Sequence, residues 1–152
     1  MKTRLLAALA VLALGTGCHD KIEDGQWVCP PFDPTTSQVA GLAGNPGCYL
    51  ESPAPGQFKN HVINTDADYQ ALFGCAPPPI DFSKYTLLIG KTVTTSGNRI
   101  TDQRVQQDCW QYIYSVDIQQ NLTTVVQPVV YHVLVPKLAA GVQVTFRVQV
   151  LP

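Results

Sequence analysis

Charge is scarce in this chain. Asp, Glu, Lys and Arg make up 14% of its 152 residues, and the formal net charge is −1. Beyond Lys2 and Arg4, no two basic residues stand close enough in sequence to build a patch that neutralises phosphates, which argues against nucleic acid as a partner. Glutamate occurs only at Glu23 and Glu51, so a glycosidase-type pair of carboxylates is not identifiable. Asp66 and Asp68 have the spacing of helix-capping residues, and Asp102, Asp108 and Asp117 read as solvated strand or turn positions. There is no Cys-x-x-Cys, and the histidines (His19, His61, His132) are scattered, so no metal site and no cofactor is expected. Ser83, Ser96 and Ser115 lack a Gly-x-Ser-x-Gly context, and neither a Gly-rich phosphate loop nor an acidic calcium loop occurs. No apolar run is long enough to cross a bilayer as a helix.

The longest apolar run is Leu5–Leu14, preceded by Lys2 and Arg4 and followed by Gly15, Thr16, Gly17 and Cys18. This order is that of an export signal. It resembles a bacterial lipoprotein signal, with Gly15 where that pattern prefers Leu and Leu14 one position further back. The resemblance implies removal of residues 1–17, a lipidated Cys18 and attachment to a membrane of the cell envelope through the N-terminal lipid. The alternative is an ordinary secreted protein cut nearby, with Cys18 unmodified. Loss of residues 1–17 takes Lys2 and Arg4 away and leaves eight basic against eleven acidic residues.

With Cys18 assigned to lipid, Cys29, Cys48, Cys75 and Cys109 remain, an even number suited to an oxidising compartment. Four cysteines allow three pairings. Order along the chain favours Cys29–Cys48 within the N-terminal segment and Cys75–Cys109 within the strand-rich part.

Residues 18–57 are punctuated by Pro30-Pro31, Asp33-Pro34, Asn45-Pro46-Gly47 and Pro53-Ala54-Pro55-Gly56. Such residues deny the chain long helices and ladder hydrogen bonds, so this part reads as a tether running into an irregular cap. Residues 58–152 read as one β-rich domain. Phe58–Ile63 is expected as a strand. Thr65-x-x-Asp68 then starts a helix near 65–74, with Tyr69, Leu72 and Phe73 on one stripe and Gly74 placed to end it. Tyr85–Val93, Cys109–Gln119 and Val142–Val150 alternate apolar and polar residues, the pattern of half-buried antiparallel strands. Thr124–Val135 is apolar on both faces and reads as a central strand, with a bulge or break at Pro128. Ser96-Gly97-Asn98, Gln120-Asn121 and Ala139-Ala140-Gly141 read as hairpin turns. The expected fold is mainly β: an antiparallel sheet of five to six strands forming a small sandwich or half-barrel, or a sheet with the helix on its apolar face.

One feature points to binding. Trp110, Tyr112 and Tyr114 form a period-two row that could stack a glycan or anchor a protein. The row continues into Val116 and Ile118, as a core face would. His61 and His132 fall in expected strands, where a histidine serves structure more often than catalysis. A hydrolase would need one of them to meet a carboxylate or hydroxyl in a cleft.

Three short segments, Val62-Ile63-Asn64, Ile80-Asp81-Phe82-Ser83-Lys84-Tyr85 and Val135-Pro136-Lys137, resemble in this order small exported bacterial lipoproteins whose domain is similar to the C-terminal domain of PrcB, a protease-complex subunit. Ser96-Gly97-Asn98-Arg99 replaces the Gly-Gly-Tyr-like turn of that domain. The resemblance spans about 58–152 and implies a non-catalytic accessory domain that acts through protein contacts. The residues have their own reading as well: Asp81 accepts backbone hydrogen bonds at a turn while Phe82 enters the core, Pro136 ends a strand and Lys137 points to water. The expectation is therefore a non-enzymatic envelope lipoprotein that binds a protein partner, with a glycan-binding module as the alternative and a hydrolase as a third reading.

Overall fold

The computed structural model describes residues 33–107 and 111–152. Six strands and one short helix follow one another as β1 (Phe58–Ile63), α1 (Asp66–Ala71), β2 (Tyr85–Thr94), β3 (Asn98–Gln107), β4 (Gln111–Gln120), β5 (Gln127–Pro136) and β6 (Gln143–Leu151). They form two three-stranded sheets, ordered β1-β2-β5 and β3-β4-β6. All pairings are antiparallel except β4 with β6, which is parallel. The protein is a small β sandwich, not a closed barrel.

The alternating strands behave as their pattern dictates. On β4, Tyr114, Val116 and Ile118 are fully buried and meet Leu88, Val129, Tyr131, Val133 and Val135 of the facing sheet. The opposite face of the β1-β2-β5 sheet is covered too. Leu87, Ile89 and Val130 pack there against Val39, Leu42 and Tyr49 of the N-terminal segment, against Tyr69 of α1 and against Phe73 just after it. The middle sheet thus lies between a second sheet and an irregular cap.

This layering explains where the strands depart from the sequence reading. Val129–Val135 is apolar on both faces because both faces are covered, whereas Val125 and Val126 before it are exposed; the laterally central strand is β2. β5 begins at Gln127, and Pro128 pairs with Val93 in unbroken register near its start, so there is no bulge at Pro128. A register shift falls instead between Ile100 and Asp102 on β3. The three expected hairpin turns are corners between sheets: 95–97 joins β2 to β3, 121–126 joins β4 to β5, and 137–142 joins β5 to β6. β3 escaped the pattern because it is an edge strand with one fully buried apolar residue, Val105.

α1 is a capped single stretch as expected. The Thr65 hydroxyl accepts from the Asp68 backbone N–H at 3.2 Å, and Asp66 and Asp68 occupy the first turn. Gly74 does not terminate it by a left-handed turn, since its φ is not positive. It is small because the Leu50 side chain passes over it, and its N–H donates to the Cys48 carbonyl at 2.7 Å. Gly90 has a similar reason: the Tyr131 ring lies across it to donate to Asn60 Oδ1 at 2.6 Å, and a Cβ would overlap both partners.

Candidate functional site

The cap is joined to the sheet by backbone pairing and by a disulfide. Ser37 and Leu134 exchange hydrogen bonds of 3.1 and 2.8 Å, so the incoming chain covers one side of β5. Tyr49 bridges Phe73, and Leu50 N donates to Leu72 O at 2.9 Å. That antiparallel approach brings Cys48 to Cys75, Cα to Cα 5.4 Å, in a disulfide. The expected partners Cys29–Cys48 and Cys75–Cys109 are therefore corrected. Cys48, with Tyr49 and Leu50, lies against the exit from α1. Cys29 and Cys109 lie outside the described residues, as do the 1–17 signal, Cys18 and Trp110.

The rest of the aromatic row faces inward. Tyr114 is fully buried, edge-on to Tyr131 and Phe146, and Tyr112 is half-buried against the same core. Burial pushes the Tyr114 and Tyr131 phenols well above their ordinary range. Tyr112 and Tyr114 are core residues and do not form an exposed stacking platform.

Both strand histidines have partners. His132 is buried and takes the Val39 N–H on Nε2 at 3.0 Å; burial lowers its pKa. His61 Nε2 lies 2.8 Å from Glu51 Oε2, each side chain about one-third exposed. This pair meets half of the condition for acid–base chemistry, a contact the sequence did not reveal because Glu51 sits in the irregular segment. No hydroxyl or thiol bonds to the His61 ring among the described residues. No group of three His, Cys, Asp or Glu side chains that could hold a metal occurs among them either. A cleft of about 310 Å³ beside the disulfide is lined by Leu42, Asn45, Phe73, Cys75 and Pro77 among others, with no titratable side chain to drive chemistry.

Lys91 was not singled out by the sequence. It is 5% exposed, and its ammonium donates to the carbonyls of Pro46 and Tyr49 at 3.1 and 3.0 Å while lying 5.5 Å from the centre of the Tyr49 ring. Burial lowers its pKa, and Glu51 opposes that shift. It is a polar peg under the cap.

The surface offers two features of another kind. The first is β6. Of the four outer strands, β1 is short and carries Lys59, β3 is bent by its register shift and carries Arg99, Asp102 and Arg104, and β5 is covered at Leu134 by Ser37. β6 runs nine residues with β4 as its hydrogen-bonded neighbour, with no proline, no glycine and the single charge Arg147. The second is the β4–β5 connection, where Leu122, Val125 and Val126 are exposed to 104%, 57% and 65%.

The three segments that carried the family resemblance are neighbours. Lys137 N donates to Lys84 O at 2.8 Å, Lys137 Nζ reaches Asn64 O at 2.6 Å, and Thr86 Oγ1 donates to Asn64 Oδ1 at 2.6 Å. Asp81 accepts from Ser83 N at 3.1 Å and Phe82 packs edge-on to Tyr69. Compared with known proteins, the chain matches no protein-family model, no curated protein and no solved structure.

Proposed function

We propose that this chain is a non-enzymatic envelope lipoprotein, held to a membrane by lipid on Cys18, whose β domain binds a protein by adding a strand to β6. The observation that supports this is the contrast among edges. Proteins guard exposed strands with charge, bulges or cover, because an open row of N–H and C=O groups templates pairing with another chain. β1 is short and charged, β3 is charged and shifted in register, and β5 is covered, whereas β6 carries the single charge Arg147 over nine residues. Backbone pairing along β6 would supply affinity, and its alternating side chains would supply selectivity. The accessory-domain resemblance agrees with this in kind.

The test uses the domain from His19 onward as bait in native envelope extract, followed by hydrogen exchange on the retained complex. A retained protein that slows exchange along 143–151 is the expected result. Retention with unchanged exchange there would sink strand addition. Retention of polysaccharide alone would favour the glycan reading, and recovery of nothing would sink protein binding altogether.

A further inference from the structure

We propose that one end of the sandwich, built from residues 43–47, 52–57, 94–98 and 120–128, docks on an uncharged, apolar patch of the partner protein, with Leu122, Val125 and Val126 as its anchors. This rests on the protein-binding reading above and deepens it by naming the face and the chemistry of what meets it.

None of these four segments contains Asp, Glu, Lys, Arg or His. The fold gathers them. Gly56 N donates to Val93 O at 3.1 Å, Gly97 N to Thr123 O at 2.9 Å, and Asn121 N to Gly97 O at 2.8 Å. Pro55, Gly56, Thr95 and Gln120 share one cleft, while Gly44 and Pro46 share another with Asn98 and Gln127. The opposite end carries exposed Asp66, Asp68, Asp81, Lys84 and Lys137. Charged side chains thus cluster at one end and are missing from these four segments at the other, where Leu122 stands fully in water.

The connection is held in shape. Asn121 Oδ1 accepts from the Thr123 N–H at 3.1 Å and from its hydroxyl, and Val125 N donates to Thr123 O at 3.0 Å. The Thr123 and Val125 N–H groups and the Thr123 carbonyl are thus already paired before docking. A fixed loop also loses little freedom on docking. Interface cores are depleted of charge and ringed by polar residues, and Lys59 and Arg99 are the first charges met as β1 and β3 leave this end.

A protein fits better than a lipid surface. The segments lack the Lys and Arg that meet anionic headgroups and the Trp and Tyr that settle at an interface. Ser37 pairs antiparallel with Leu134, so the described chain comes in along the second half of β5, from the charged end. The last residues of β6 reach the end built from the four segments, Leu151 pairing with Gln119, so a strand added to β6 would lead onto it.

The test is photo-crosslinking of the full chain in its native envelope, with benzoylphenylalanine in place of Leu122, Val126, Lys84 or Gln149 in separate experiments. The expected result is one discrete protein adduct at 122 and 126 and none at 84. Its yield should hold in 0.5 M salt and fall about tenfold with Val125→Asp, the size of effect a buried anchor carries. Thermal melting of Val125→Asp checks that folding is intact. A lipid adduct, an adduct of twice the chain's own mass, or indifference to Val125→Asp would overturn the proposal. Adducts at 149 alone would overturn this face while leaving protein binding standing. Absence of adducts at every position would remove both.

Discussion

The two faces of the β1-β2-β5 sheet are covered in different ways. Towards the β3-β4-β6 sheet, the buried row is Leu88, Val129, Tyr131, Val133 and Val135, against Val105, Tyr114, Val116 and Ile118. Towards the cap, Leu87, Ile89 and Val130 share the face with Lys91 and His132. The difference follows from the cover. A sheet arrives with its backbone hydrogen bonds already paired, so only side-chain area has to match. An irregular segment arrives with unpaired carbonyls and N–H groups, and each one buried without a partner costs free energy. Lys91 and His132 answer those of Pro46, Tyr49 and Val39. A polar residue inside an otherwise apolar strand thus marks an irregular segment packed above it.

The sheet-on-sheet face should be the costlier one to damage. Tyr114 is fully buried, packs on two aromatic rings and donates to Gln103 Oε1. Tyr114→Ala leaves a large cavity and is expected to lose about 3–5 kcal/mol. Urea unfolding of wild type and variant measures this. A loss below about 1 kcal/mol, the level of surface substitutions, would mean that the ring is not in the core.

The cap face should fail separately. Cys48–Cys75 closes a loop with a sequence separation of 27, and the chain-entropy account assigns such a bridge about 3 kcal/mol. Changing both cysteines to Ala should therefore destabilise somewhat less than Tyr114→Ala. Hydrogen exchange should rise first at the Leu50 and Gly74 amides, which pair across the cap, while the β3–β4 ladder stays protected. Equal loss of protection on both faces would show that cap and sandwich are one cooperative unit. Peptide mapping of the oxidised protein should return Cys48 joined to Cys75.

The alternating strands were legible because a period of two on β4 and β6 has one physical meaning, a face turned to a core. The capped helix was legible because Thr65 and Asp68 carry their own local chemistry. What was not legible is non-local. Nothing in 98–107 announces a strand, since its neighbours supply the reason for it to extend. Gly97 and Gly141 look like hairpin residues, yet the same chemistry turns the chain from one sheet to the other. The pairing of Cys48 depends on a contact between 48–50 and 72–74 that no spacing encodes. Glu51 meets His61 for the same reason, and nothing in the sequence around Lys91 announces the cap that buries it. The exposed Val125 and Val126 were read into a buried strand because composition alone cannot tell an apolar corner from an apolar core.

The smallest expected effect is a pH dependence confined to the cap face. His132 Nε2 accepts the Val39 N–H, and its Nδ1 is buried without a partner among the described residues. Its row across the sheet holds Ile89 and His61, and Lys91 lies one row away on the same face, with Glu51 bonded to His61. With Nε2 accepting, the neutral ring already holds its proton on the unpartnered Nδ1, and protonation would place a second N–H at Nε2, against the Val39 N–H. The Val39 carbonyl, 3.2 Å away, offers partial compensation, but burial dominates and the folded pKa lies below the ordinary 6.5. The unfolded chain therefore takes up a proton first as pH drops. This contribution to stability is complete above pH 6.5 and is lost progressively below it, until the folded histidine also titrates. His132→Gln keeps an acceptor for Val39 N and removes the titration. Urea midpoints at pH 7.5, 6.5 and 5.5 should fall more steeply for the wild type than for His132→Gln below 6.5. Parallel curves would show that the slope does not come from His132.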